Sequence, residues 1–139
     1  MLHLLRITDI EYDIPVQGYN LSKEQKLVFR GLFHDVTGDS TGSNMLVLGK
    51  CGTGKSTLIK MLVQQYKKLD MNVSVTATTG TAASLINGFT VERFFGITDL
   101  SIHGENLAMA LSSKPEIMKR LNDIDVLIMD ECSMCKEEL

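Results

Sequence analysis

Short apolar runs alternate along the chain with amphipathic segments, and this alternation predicts the order of strands and helices. Apolar or β-branched runs, which suit buried strands, lie at 45–48, 73–77 and 126–129. Apolar residues three to four positions apart predict helices at 21–33, 56–69, 81–86, 91–95, 105–111 and 115–121. We expect Asn87-Gly88 to end the third of these helices and Pro115 to begin the last. Strands that alternate with helices imply an α/β fold with a mostly parallel sheet.

Composition favours one intracellular domain with a lead-in segment at residues 1–20. The 139 residues are 44% apolar, which is enough for a single packed core and too few for two full domains. Three cysteines form no even disulfide framework, and no apolar run approaches the roughly 20 residues of a membrane-spanning helix. The net charge of −3 gives no global basic field, so any contact with nucleic acid must be local.

A glycine-rich loop carries the strongest chemical signal. Residues 49–56 read G-K-C-G-T-G-K-S and match G-x-x-x-x-G-K-[ST] at every fixed position, between a predicted strand and a predicted helix. Glycines permit positive φ angles and let backbone N–H groups approach phosphate oxygens closely. We expect Lys55 to bridge the β and γ phosphates of ATP and the Ser56 hydroxyl to ligate Mg²⁺. The predicted ATP contacts in this segment are Gly49, Lys50, Cys51, Gly52, Thr53, Gly54, Lys55, Ser56 and Thr57.

The acidic pair Asp130-Glu131 follows the last apolar run and forms the second candidate site. Ligands of parallel sheets bind beyond the carboxyl ends of the strands, where this pair falls. We expect Asp130 to hold Mg²⁺ through water and Glu131 to polarise the attacking water, so that both join Lys55 as catalytic residues. The alternative is that the two acids cap a following helix.

Four stretches, taken in order, resemble the Pif and RecD-like helicases of superfamily 1. L-S-K-E-Q at 21–25 resembles their adenine-reading motif, and V-T-A-T-T-G-T-A-A at 75–83 resembles a segment that touches DNA phosphates. G-F-T-V-E-R-F-F-G at 88–96 resembles the stretch after it, and D-V-L-I-M-D-E-C-S-M at 125–134 resembles the acidic motif. The resemblance implies a RecA-like phosphate-loop NTPase: an ATP-dependent 5′-to-3′ DNA helicase of repair and recombination, with ATP, Mg²⁺ and single-stranded DNA as ligands.

The resemblance also implies roles for residues outside the loop and the acidic pair. Gln25 would contact adenine, although Ser22-x-x-Gln25 is also a helix capping box. The implied DNA contacts are Thr79, Gly80, Thr90 and Phe94. Thr79 also suits a helix N-cap, and one of two adjacent phenylalanines usually lies in the core.

This chain departs from the family pattern at two places. Thr78 stands where the family has proline, and Glu92-Arg93 stands where it has His-Ser. A glutamate beside a DNA backbone would be repelled. The strength of DNA contact in that segment therefore depends on the surrounding residues.

Helicases of this family work between two RecA-like domains, and further motifs follow their acidic pair. We therefore expect residues 21–139 to form an incomplete first RecA-like domain, whose partner is the remainder of the helicase chain. The strand between the phosphate-loop strand and the acidic strand would come after residue 139. Such a piece should bind ATP without appreciable hydrolysis. The arginine finger, which contributes a factor of about 10³–10⁵ in rate, would come from the second domain.

Two other classes of protein remain open from the sequence. One is a small-molecule kinase or nucleotide switch that uses the same loop, and the other is a non-catalytic ATP-binding domain. The compartment of a helicase would be the nucleus or mitochondrion of a eukaryote, or otherwise the cytoplasm or a virus-infected cell.

Overall fold

The computed structural model describes residues 20–37, 44–97 and 104–134. Within these ranges the elements are, in chain order, α1 Lys23–Thr37, α2 Lys55–Lys68, β1 Val73–Ala77, α3 Gly80–Leu85, β2 Phe89–Thr90, α4 Val91–Phe95, α5 Gly104–Ser112, α6 Pro115–Asn122, β3 Val126–Asp130 and a 3-10 turn at Cys132–Met134. The chain divides into two compact units between Leu62 and Val63. The predicted lead-in at 1–20 lies outside the described residues except for Asn20.

The first unit contains α1, the glycine-rich loop and the start of α2. Helix α1 begins with a reciprocal capping box, because Gln25 N donates to Ser22 Oγ at 3.2 Å and Ser22 N donates to Gln25 Oε1 at 2.9 Å. Phe29 is buried in this helix and its ring stacks on Phe33. The helix ends at Thr37, four residues beyond the predicted range 21–33.

The second unit is built on a three-stranded parallel sheet with the order β2-β1-β3. The start of the β1–β3 pair is fixed by Asn72, whose backbone N–H donates to Asp125 Oδ2 at 2.7 Å. The register runs from Val73 opposite Val126 to Ala77 opposite Asp130. The end of β1 therefore lies beside the acidic pair at the end of β3.

Helix α3 ends in a left-handed turn that brings the chain back against β1. Asn87 has φ 53° and the Gly88 N–H donates to Ala83 O at 2.8 Å, which is a Schellman motif. A Cβ on Gly88 would overlap the carbonyl oxygen of Val75. The predicted end of this helix at Asn87-Gly88 is confirmed, and only glycine fits the second position.

Two basic residues of the α6 region bind the carboxyl end of α4. Lys114 Nζ donates to Gly96 O at 2.6 Å, and Arg120 Nη1 donates to Phe94 O. The Arg120 guanidinium also lies 5.6 Å from the centre of the Phe94 ring. Cations at a helix carboxyl end satisfy its last carbonyls and its dipole. These contacts fix α4 and bury Phe94.

The strand predicted at 45–48 is wrong for this structure. Residues 44–50 have no regular secondary structure, and Leu46 and Leu48 are 68% and 83% exposed. An apolar run becomes a strand only when a neighbour satisfies its backbone groups. Among the described strands, β1 pairs with β2 and β3, and neither pair includes this segment. Within the described ranges, the helices lack the length and apolar character needed to cross a membrane.

Candidate nucleotide-binding site

The glycine-rich loop folds into a tight turn that leads directly into α2. Gly52 and Gly54 have φ angles of 80° and 84°, as the sequence predicts for this loop. Thr53 closes the turn, since its hydroxyl donates to Lys50 O at 2.8 Å. The first helical hydrogen bond runs from Leu58 N to Gly54 O at 3.0 Å. The preceding N–H groups therefore lie at the helix amino end, where the helix dipole favours an anion.

The side chain of Lys55 is folded back over the loop. Its ammonium donates to Gly49 O at 2.8 Å and to Lys50 O at 3.1 Å. These carbonyls hold the cation at the mouth of the loop, where phosphate oxygens can replace them as acceptors. Ser56 and Thr57 follow in the first turn of α2 and are half-buried.

Gln25 lies against the same loop. Beyond its capping bonds, its amide Nε2 donates to Thr53 O at 2.8 Å across 28 positions of sequence. A Cβ on Gly54 would overlap this amide nitrogen. The capping box predicted at Ser22-x-x-Gln25 is confirmed by its two reciprocal hydrogen bonds, and the adenine contact of Gln25 stays a prediction. The additional contact with the loop was not predicted, because no local pattern encodes it.

The acidic pair has a constrained backbone at the end of β3. Asp130 is 8% exposed, and its Oδ1 accepts a hydrogen bond from the Glu131 N–H at 2.9 Å. Glu131 is exposed and has φ 55°, a left-handed conformation that costs roughly 1–2 kcal/mol for a residue with a Cβ. Its carbonyl accepts from Met134 N at 2.9 Å and from the Thr78 hydroxyl at 3.4 Å. The surrounding hydrogen bonds thus hold Glu131 in this strained conformation.

The chemistry of these side chains fits Mg²⁺ and a nucleoside triphosphate. In the first unit, Ser56 has a hydroxyl oxygen at the amino end of α2. In the second unit, Asp130 has a carboxylate at the end of β3. Hard oxygen ligands of this kind are those that Mg²⁺ takes beside a substrate phosphate. The positive φ angles of Gly52 and Gly54 and the ammonium of Lys55 suit a phosphate cradle.

Three of the residues predicted to contact DNA are exposed or partly exposed, and two of them cap helices. Thr79 caps α3 by accepting from Ala82 N at 3.2 Å, and Thr90 caps α4 by accepting from Arg93 N at 3.3 Å. Gly80 is exposed, and a Cβ built there would meet nothing within 4 Å. Their DNA contacts stay predictions.

The DNA contact predicted for Phe94 is wrong for this structure. Phe94 is 2% exposed, and its ring packs edge-on against Phe95 with 5.1 Å between the centroids. The Arg120 guanidinium lies over the same ring. A ring enclosed in this way has no face on which a base can stack.

The glycine-rich loop leads into helix α2, and the parallel strand β3 ends in the acidic pair and leads into a 3-10 turn. These features define a RecA-like phosphate-loop fold. Residues 20–139 match the family model described as PIF1-like helicase, and the chain belongs to that family. The resemblance and the fold class predicted from the sequence are therefore confirmed.

Known relatives agree with this assignment. The chain is 33% identical over 121 residues to the ATP-dependent DNA helicase PIF1 of Saccharomyces cerevisiae, covering 86% of this chain and 13% of that protein. It is 31% identical over 121 residues to the ATP-dependent DNA helicase Pif1 of Bdellovibrio bacteriovorus, covering 87% and 26%. The crystal structure of Pif1 helicase from Candida albicans matches with a TM-score of 0.70 and 32% identity, over 85% of this chain and 26% of that one. The chain thus spans about a quarter or less of the length of these relatives.

Proposed function

We propose that this chain supplies the ATP-binding part of an ATP-dependent DNA helicase that moves 5′ to 3′ along single-stranded DNA. The observation that carries the proposal is the loop geometry. The Lys55 ammonium is held by Gly49 and Lys50 carbonyls at the amino end of α2, beside two glycines with positive φ. Together these groups provide a positive cradle for the β and γ phosphates.

The roles of the individual residues follow from their chemistry. Lys55 neutralises the phosphate oxygens, and the Ser56 hydroxyl and Asp130 carboxylate hold Mg²⁺. The chemistry that bound Mg²⁺ would supply is stabilisation of the charge that develops on the transferred phosphoryl group. Glu131 accepts the proton of the attacking water, for which its exposed carboxylate on a fixed backbone is suited. Gln25 contacts the loop through Thr53 O, which supports a role for its side chain in reading adenine.

We infer that Thr79, Gly80 and Thr90 contact the DNA backbone. The Thr79 capping bond uses a lone pair of the hydroxyl oxygen, so its proton is available for a phosphate oxygen. Gly80 has open space beside its Cα, which lets a strand approach the backbone closely. Such contacts position DNA without reading its sequence.

The remainder of a helicase chain, including a second RecA-like domain, is the proposed partner of this unit. The protein would act in DNA repair and recombination inside the cell, in the nucleus or mitochondrion of a eukaryote or otherwise in the cytoplasm or a virus-infected cell. The family membership supports this assignment.

An ATPase measurement on the full-length protein tests the proposal. We expect Mg²⁺-dependent hydrolysis that increases when single-stranded DNA is added, and unwinding of a duplex with a 5′ single-stranded tail. A duplex with a 3′ tail is the matched control. Hydrolysis that single-stranded DNA leaves unchanged would contradict a DNA motor and favour a nucleotide switch.

A further inference from the structure

We propose that Thr78 is a positioning residue for Glu131, through which single-stranded DNA at Thr79 and Gly80 controls ATP hydrolysis. The inference rests on the proposed function, since it takes Glu131 as the general base. The observation behind it is the hydrogen bond from the Thr78 hydroxyl to the Glu131 carbonyl, which joins residues 53 positions apart.

The sheet register brings these two residues together. Ala77 is the last residue of β1 and lies opposite Asp130, the last residue of β3. Thr78 and Glu131 come directly after that final pair, where the regular ladder of backbone hydrogen bonds has ended. The Thr78 hydroxyl thus links the two segments of the chain that follow β1 and β3.

The link acts on a residue whose backbone needs support. Glu131 has φ 55°, a region that residues with a Cβ rarely adopt. Its N–H donates to the Asp130 carboxylate and its carbonyl accepts from Met134 N, both within its own segment. The Thr78 hydroxyl adds a contact from the segment that follows β1. Moving Thr78 therefore changes the support of Glu131 relative to the sheet.

The other side of Thr78 is attached to the proposed DNA contacts. Thr79 follows it directly and caps α3, with its carbonyl accepting from Ala83 N at 2.9 Å and its hydroxyl accepting from Ala82 N. We infer that a phosphate that draws Thr79 and Gly80 into a contact shifts the Thr78 peptide, because Thr78 is bonded directly to Thr79. The distance of 3.4 Å from the Thr78 hydroxyl to Glu131 O is longer than usual for a hydrogen bond between oxygens, and we expect it to shorten when DNA binds.

The hydroxyl is a feature of this chain and not of the family pattern that it resembles. That pattern has proline at this position, and proline has no side-chain donor. The contact with Glu131 therefore adds to whatever coupling the shared motifs provide. We therefore expect the hydroxyl of Thr78, and not the bulk of its side chain, to determine how strongly DNA stimulates ATP hydrolysis.

Substitutions of Thr78 in the full-length protein test the inference. Thr78→Val removes the hydroxyl and keeps the branched shape, whereas Thr78→Ser keeps the hydroxyl. Thr76→Val is the matched control, because Thr76 makes the same kind of bond to Ile128 O at 3.4 Å within the sheet. The measurement is the steady-state ATPase rate at saturating oligothymidine, together with KM for ATP and the dissociation constant for DNA.

We expect Thr78→Val to lower the DNA-stimulated kcat about fivefold, the effect of losing one net hydrogen bond. KM for ATP and DNA affinity should stay within about twofold of the parent values, and Thr78→Ser and Thr76→Val should keep the stimulated kcat. An unchanged kcat in Thr78→Val, or equal losses in all three variants, would overturn the inference. If the parent protein itself shows no stimulation by DNA, the proposed function has failed and the role of Thr78 fails with it.

Discussion

Alanine in place of Gly54 perturbs the phosphate loop in two separable ways. The φ angle of 84° is a conformation that a residue with a Cβ adopts only under strain. The new methyl group would also displace the Gln25 amide, which donates to Thr53 O at 2.8 Å. Gly52→Ala is the matched control, because Gly52 has a φ of 80° and a Cβ there would meet nothing within 4 Å.

The magnitude follows from these two contributions. The left-handed conformation costs roughly 1–2 kcal/mol, and the lost Gln25–Thr53 hydrogen bond costs roughly 0.5–1.5 kcal/mol more. Gly54→Ala should therefore reduce the free energy of unfolding by about 1.5–3.5 kcal/mol, and Gly52→Ala by about 1–2 kcal/mol. In a Gln25→Ala background, the cost of Gly54→Ala should fall to that of Gly52→Ala, since the displaced amide is absent.

Urea denaturation without nucleotide, monitored by circular dichroism, measures the free energies of this double-mutant cycle. Gln25→Ala also removes a capping bond of α1, but that loss is common to both variants in its background and cancels. If Gly54→Ala costs the same with and without Gln25, the side chain of Gln25 does not lie against the loop.

Two further predictions concern the acidic pair and the turn behind β1. Glu131→Gln should leave Mg-ATP binding nearly intact while abolishing turnover in the full-length protein. Asp130→Ala should weaken metal-dependent binding of ATP. A near-parental DNA-stimulated rate in Glu131→Gln would contradict the assignment of Glu131 as the general base. Gly88→Ala should destabilise the chain by about 1–3 kcal/mol, because its Cβ meets the Val75 carbonyl oxygen, whereas Gly80→Ala has open space and should be neutral or stabilising in urea denaturation. Equal stabilities of the two alanine variants would contradict the close approach at Gly88.

Local signals in the sequence were sufficient for several elements. The bounds of β1 and α4 agree with the predicted ranges 73–77 and 91–95. Thr90 caps α4 at its start and the left-handed Gly96 ends it, so both limits are encoded by neighbouring residues. The positive φ angles of Gly52 and Gly54 followed from the loop motif in the same way.

Features that depend on distant residues were not predictable from local patterns. The apolar run at 45–48 has the composition of a strand, but pairing with another strand decides its structure. Phe94 was given an exposed role, and Arg120, 26 positions away, covers its ring. Strand β2 has only two residues, which is too short for an alternating pattern to identify. The contact between Gln25 and Thr53 likewise joins two motifs that the sequence shows separately.

The central claim, that the loop at 49–56 binds Mg-ATP through Lys55, is tested most directly by isothermal titration calorimetry. Lys67→Ala is the control, because Lys67 is an exposed lysine in the last turn of the same helix α2. We predict that Lys55→Ala weakens Mg-ATP binding by at least about tenfold, since it removes the cation that the loop holds for the phosphates, and that Lys67→Ala binds as the parent does. Equal Mg-ATP affinity of Lys55→Ala and the parent protein would contradict the account.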